Sequence, residues 1–128
     1  SFLTDVVELR PGFVSSKPEL LSSLYALLGA CPAVEVPRED VDGALHWVGP
    51  GLPSLVIFDA VPGGAGHARR ISDLLPELID AALDRVESCE CGEETSCYSC
   101  LRNYTNQLWH DELTRSGAIR VLSRLTGA

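Results

Sequence analysis

Methionine is absent from the 128 residues and lysine nearly so, since nine of the ten basic residues are Arg and only Lys17 is Lys. A chain without Met that opens abruptly on a strand-like segment is expected to be a piece of a longer polypeptide. No apolar run approaches the roughly 20 residues of a membrane span. Residues Ser1–Arg10 lack the basic start and apolar middle of an export signal, so a cytoplasmic setting is expected. Positive charge is also scarce. The formal net charge is −8, which argues against the whole surface gripping nucleic acid, because phosphate binding needs a positive field. The deficit is uneven. Residues 69–100 hold eight acids and three bases, a balance of −5, whereas residues 101–128 hold two acids and four Arg, a balance of +2. Any nucleic-acid contact should therefore come from the C-terminal segment.

The length suits one domain with a real core, residues 1–128. Asp5–Leu9 reads as a strand stopped by Pro11-Gly12. Pro18 opens a helix whose Leu20, Leu21, Leu24, Leu27 and Leu28 share one face. Short strands are expected at Ala33–Val36 and Ala44–Val48, separated by a turn at Asp42-Gly43. A strand buried on both faces is expected at Ser54–Ala60. A long helix follows, with Ile71, Leu74, Leu75, Leu78, Ile79, Ala82, Leu83 and Val86 in one stripe and a kink expected at Pro76. Two further helices are expected, one near Leu101–Trp109 and one ending near Leu125. The fold class is α+β, a small sheet of about four strands with a long helix and two C-terminal helices.

Four of the five cysteines fall within twelve residues, as Cys89, Cys91, Cys97 and Cys100. Disulfides are one explanation, but they belong to oxidising compartments. A metal site is the other. Two closely spaced ligand pairs can converge on one ion, Gly92 permits a tight bend, and four soft thiolates favour zinc, with an iron–sulfur cluster as the main competitor. A closed set of four leaves no position for activating water, so one structural Zn2+ is expected and no catalytic role. Cys31 is expected to be a buried inert thiol.

Two polar groups remain. The turn around Asp59, Gly63, Gly64, Gly66 and His67 joins a strand to a helix, where anions often bind. It lacks the spacing of a P-loop or a dinucleotide fingerprint. A structural turn is favoured, with Asp59 capping amides, and a small enzyme using Asp59 and His67 in a pocket is the alternative. In the segment 101–113, Leu101, Tyr104 and Leu108 would share one face, and Arg102, Asn106 and His110 another, with Gln107 beside them. These polar residues and Arg115 suit either an internal network or contacts to a nucleic-acid backbone. His110 is expected to be a hydrogen-bonded structural histidine.

With LVIFDAVPGGAG, the four cysteines, CLRNYTNQLWHDELTR and the opening TDVVEL together, the chain resembles the MrfA-type zinc-binding (MZB) domain over nearly its whole length. That domain stands at the C-terminus of superfamily 2 DEAD/DEAH-box helicases and in DrmB-like DISARM proteins. The resemblance implies a four-cysteine zinc site and a non-catalytic, accessory role supporting DNA engagement by an ATP-driven motor, in DNA repair or phage defence. The partners it implies are a helicase core, in the same polypeptide or beside it, and DNA through that parent. No Walker A motif or DEAH box occurs here, so ATP binding would lie elsewhere in the parent.

Overall fold

In a computed structural model of the chain, residues 6–13, 15–47, 53–60, 66–98 and 100–126 are described, with Tyr104 and Thr105 through their backbone alone. Helix α1, Lys17–Ala30, runs through the middle of the structure. Its start is written locally. Ser16 Oγ accepts from the Glu19 amide at 3.3 Å and Glu19 Oε1 accepts from the Ser16 amide at 2.8 Å. This reciprocal box satisfies two orphan donors, and Pro18 in the first turn has no donor to lose. From Leu20 to Leu28 every residue is buried, because the sheet, a third helix and a fourth each cover a part of its circumference.

The described residues form three strands, β1 (Val6–Leu9), β2 (Val41–His46) and β3 (Ser54–Asp59), ordered β1-β3-β2 and antiparallel throughout. Val7 and Gly43 flank Ile57, and Leu9 and Leu45 flank Leu55. That register builds one inner face against α1. The outer face is not covered to the same degree, since Val56 and Phe58 are half-buried and Val6 is exposed. β3 is therefore an alternating strand of an antiparallel sheet, not one buried on both faces. Gly43 lies inside β2, contrary to the expected turn. A Cβ there would meet Leu24 Cδ1 and the Val56 carbonyl, both at 2.8 Å, so a bare backbone lets α1 reach the sheet.

The expected strand at 33–36 is a 3-10 turn over Cys31–Val34, ended by Glu35 at φ 63°. Pro32 fixes a helical φ at the start of that turn, which competes against an extended run. Val34 and Val36 are buried by the turn instead. The long helical stripe is divided. Helix α2 covers His67–Asp73 and α3 covers Leu75–Ser88, with Leu74 non-helical between them at φ −112°. Pro76 then falls in the first turn of α3, where its missing N–H costs nothing. The apolar stripe holds across the break, with Ile71, Leu78, Ile79, Ala82 and Val86 buried. Helix α4, Arg115–Leu125, closes the bundle against α1 and α3. Gly117 brings its first turn to 3.3 Å, measured from a notional Cβ, of the Glu19 backbone. No described helix is long and apolar enough to cross a membrane.

Replacing Gly43 by Ala should lower the stability of the zinc-loaded chain by about 1–3 kcal/mol, the usual cost of overpacking. Gly12→Ala, with nothing within 4 Å of a Cβ, should change it by less than about 0.5 kcal/mol. Denaturant midpoints of the two variants check this. Equal midpoints would show that α1 does not need the close approach.

Candidate metal centre

Helix α3 delivers the first ligand. Cys89 is its C-cap, in extended conformation with its amide still bonded to the Arg85 carbonyl at 3.2 Å. Two residues later Cys91 turns back toward it. A turn with Thr95 N–H on the Gly92 carbonyl at 3.1 Å returns the chain to Cys97. There the Cys97 carbonyl accepts from the amides of Cys100, Leu101 and Arg102 at 3.2, 3.1 and 2.9 Å, which folds the second ligand pair into a tight knot. The Cys97 amide points at Cys100 Sγ, 3.3 Å away.

The sulfurs converge. Sγ–Sγ separations are 3.6 Å for Cys89–Cys91, 3.5 Å for Cys89–Cys97, 3.7 Å for Cys91–Cys100 and 3.8 Å for Cys97–Cys100. All four atoms lie within 4.8 Å of one another. A tetrahedral ion with sulfur at about 2.3 Å demands edges of about 3.8 Å, and the cage matches. A disulfide needs about 2.05 Å, so all four cysteines are free thiols. A polynuclear iron–sulfur cluster would spread its thiolates over several irons, a larger cage than this one. The donors thus fit one Zn2+ with no open position, a centre that shapes the fold and cannot activate water. Burial pushes the Cys100 thiol up to about 12 and also raises Cys91. Without metal these groups stay protonated at neutral pH, and zinc must displace the protons.

A residue left unassigned between two roles by its sequence context holds this loop in place. Arg115 is 5% exposed. Its Nε donates to the Val86 carbonyl at 2.7 Å, Nη2 to the Glu87 carbonyl at 3.2 Å, and Nη1 to the Cys91 carbonyl. Two of these acceptors belong to the last turn of α3, whose carbonyls have no helical partner. The fork therefore caps α3 and clamps the metal loop at once. Backbone donors at the start of α4 finish the joint, Arg115 N–H to the Thr95 carbonyl at 2.9 Å and Ser116 N–H to the Glu93 carbonyl at 2.8 Å. The warning sign in the sequence was an Arg in the first turn of a helix, where its charge opposes the dipole.

The segment after Cys100 forms an internal polar network. It folds as a 3-10 run over Tyr104–Glu112, kinked at Asn106, and not as a regular helix from Leu101. Leu101 is buried but Leu108 is 90% exposed, so the expected apolar face does not exist. Asn106 is fully buried, donates to the Leu101 carbonyl at 2.8 Å and accepts from the Asn103 amide at 2.9 Å. His110 Nε2 faces two acceptors, Asn106 Oδ1 at 2.8 Å and the Asn103 carbonyl at 3.0 Å, so that nitrogen carries the proton. Arg102 Nε holds Ser96 Oγ at 2.9 Å, and Nη2 reaches the His110 carbonyl at 3.5 Å. Only Gln107 of the five polar candidates is fully on the surface.

At the other end of the chain, Gly63 and Gly64 lie outside the described residues. Gly66 adopts φ 76°, a left-handed position at the start of α2 that suits glycine. His67 Nε2 pairs with Asp40 Oδ2 at 3.1 Å, and Arg70 Nε with the Val34 carbonyl at 2.6 Å. These bonds tie α2 to the turns before β2 and commit both side chains structurally. Asp59 is buried at the end of β3, and the turn amides expected to bond it, in residues 61–65, lie outside the described residues. Cys31 is fully buried, donates to the Leu27 carbonyl at 3.5 Å, and burial raises its pKa to about 11. It is an inert core thiol.

Comparison with known proteins gives the same picture. A family model described as the MrfA Zn-binding domain matches residues 23–101. The chain is 38% identical over 61 residues to Druantia protein DruE of Escherichia coli (strain UMEA 4076-1), a match covering 48% of this chain and 3% of that protein. Its fold is similar to that of DUF1998 helicase MrfA solved bound to DNA, with TM-score 0.63 and 20% identity over 91% of this chain and 16% of that one. The same helicase with DNA and AMPPNP gives TM-score 0.68 and 20% identity, over 93% of this chain and 15% of that one.

Zinc added to the reduced chain at neutral pH should bind at about one per chain and release at least two protons, those of the raised Cys91 and Cys100 thiols. Calorimetry in buffers of different ionisation enthalpy counts them. Release of fewer than two would show that Cys91 and Cys100 are not both held protonated. Arg115→Lys should cost about 2 kcal/mol and weaken zinc binding, because one ammonium cannot reach three divergent carbonyls. Retained stability in that variant would remove the clamp from the account.

Proposed function

The chain belongs to the MrfA Zn-binding domain family, and from that premise we propose that it is an accessory module of a superfamily 2 DNA helicase, with zinc as a structural element. The observation that carries this reading is the closed cage of four sulfurs, at 3.5 to 3.8 Å along its measured edges, joining the end of α3 to the start of α4. A metal with no free coordination position can brace a motor but cannot perform its chemistry. The likeness to a helicase solved on DNA supports the same reading, as does the small share of it, 15–16%, that this chain spans.

In this proposal residues 1–128 form one zinc-binding domain near the C-terminal end of a longer cytoplasmic polypeptide, and Cys89, Cys91, Cys97 and Cys100 are the ligands. The helicase core in that polypeptide, or a helicase partner, is the neighbour the domain serves. ATP is bound by that core, and DNA is engaged through it. Both DNA repair and phage defence fit the relatives, one being a helicase and the other a Druantia protein. Arg102, Asn106, His110 and Arg115 act by holding the metal loop and the segment after it, and their use on each other leaves Gln107 as the one fully exposed polar candidate for a direct DNA contact.

Cys97→Ser with Cys100→Ser in the intact parent should abolish zinc binding and reduce DNA-dependent unwinding at least about tenfold, while ATP affinity stays within about twofold. Elemental analysis, nucleotide titration and strand-separation assays read the three quantities. Normal unwinding by a zinc-free double mutant would overturn the proposal.

A further inference from the structure

Acids outnumber bases by 18 to 10 in this chain, yet three of the ten bases line one cavity. Arg38, Arg85 and Arg102 surround about 150 Å³ beside the metal loop, with Tyr25, Tyr98 and Asn103 in the same wall. No Asp or Glu is among the described lining residues. The space is about half the lower limit of roughly 300 Å³ for ordinary ligand pockets. It suits a small polar group and not a whole nucleotide.

Arg38 and Arg102 spend only part of their donors. Arg38 Nη1 donates to the Val41 carbonyl at 3.0 Å, but Nη2 is buried and has no hydrogen-bond partner. A buried charged donor with nothing to bind has lost its water without compensation. Arg102 spends Nε on Ser96 and reaches the His110 carbonyl only at 3.5 Å. Arg85 bonds the Gly29 carbonyl through Nη1 and keeps its guanidinium at the cavity wall. Burial raises the pKa of Tyr25, and Asp42 adds to it, so the phenol remains a proton donor at neutral pH. Tyr98 is 57% exposed and stands edge-on to the His110 ring, 5.4 Å between centroids. It offers an open aromatic surface at the cavity. The loaded zinc centre carries −2, from four thiolates and one Zn2+, and borders the cavity through Cys100. Three guanidinium charges exceed it by one.

We propose that this cavity is a binding site for a phosphate group, either the phosphodiester of a single DNA strand or a free phosphate, with Arg38 as its main donor, Arg102 supplying a further N–H group and Arg85 adding positive field. Arginine forks match the tetrahedral oxyanion by paired bonds. The proposal stands apart from the helicase reading, because a free phosphate would use the same donors.

The test uses the zinc-loaded chain and the side-chain Nε–H signals of its arginines in nuclear magnetic resonance. Sodium phosphate, with sodium chloride at matched ionic strength as control, should shift Arg38 and Arg102 but not the exposed Arg124. R38Q should weaken phosphate binding about tenfold, the scale of one charge-assisted bond, while R124Q leaves it unchanged. A short single-stranded oligodeoxythymidine forms the second arm. If it displaces phosphate and binds more tightly, the site takes a strand backbone; if it does not compete, the site takes the free anion. Either result supports the proposal. Chloride acting like phosphate, or neither ligand moving Arg38, overturns it. So does a set of variants that lose zinc with unchanged phosphate response, since the arginines would then only balance the thiolate charge. Should R38Q not fold, R102K is read instead, and unchanged phosphate affinity there is equally fatal.

Discussion

Four sulfur atoms confined to one ion's coordination sphere fix where α3 ends and where the chain after it can go. Cys89 is both the last cap of α3 and the first ligand, so helix and cage cannot shift independently. The loop they enclose then presents carbonyls of Cys91, Glu93 and Thr95 outward, and the first turn of α4 with the Arg115 fork receives them. α4 in turn lies on α1, where Ser22 Oγ accepts from the Thr114 amide at 2.9 Å and Gly117 permits the close crossing. Metal, cap and helix packing are thus one connected joint.

Much of this was legible in the chain, for reasons that differ by element. α1 announces itself because its capping box and its leucine spacing agree. The four cysteines are legible because two closely spaced pairs within twelve residues match the ligand spacing of a metal site. The alternation of β3 was obscured by its run of apolar residues, which conceals that Val56 and Phe58 face a less covered side. Ala33–Val36 failed as a strand because one proline, Pro32, outweighs a short apolar run. The segment after Cys100 failed as an amphipathic helix because Asn103 and Asn106 bond each other's backbone, which competes with regular helical hydrogen bonding. Periodicity cannot register such side-chain competition. The role of Arg115 was invisible for another reason: its three partners lie 24 to 29 residues away.

Charge follows the same division of labour. The acidic balance of the metal loop and α3 would be self-repelling around an anionic centre. Arg102 and Arg115 sit around that centre, and among the described residues they bond carbonyls and a hydroxyl. Cations held by dipoles instead of by ion pairs keep their net charge available to the thiolates.

The separations along the chain impose a hierarchy on how the domain opens. The ligands lie at most eleven positions apart, Cys89 to Cys100, whereas the Ser22–Thr114 bond closes a separation of 92. Loop-closure entropy grows as three-halves of RT times the logarithm of length, so the long closure is dearer by about 2 kcal/mol. α1 and α4 can therefore part transiently while the sulfur cage stays shut. Amide hydrogen exchange should then show the Thr114 amide losing protection before the amides of Cys100, Leu101 and Arg102 that bond the Cys97 carbonyl.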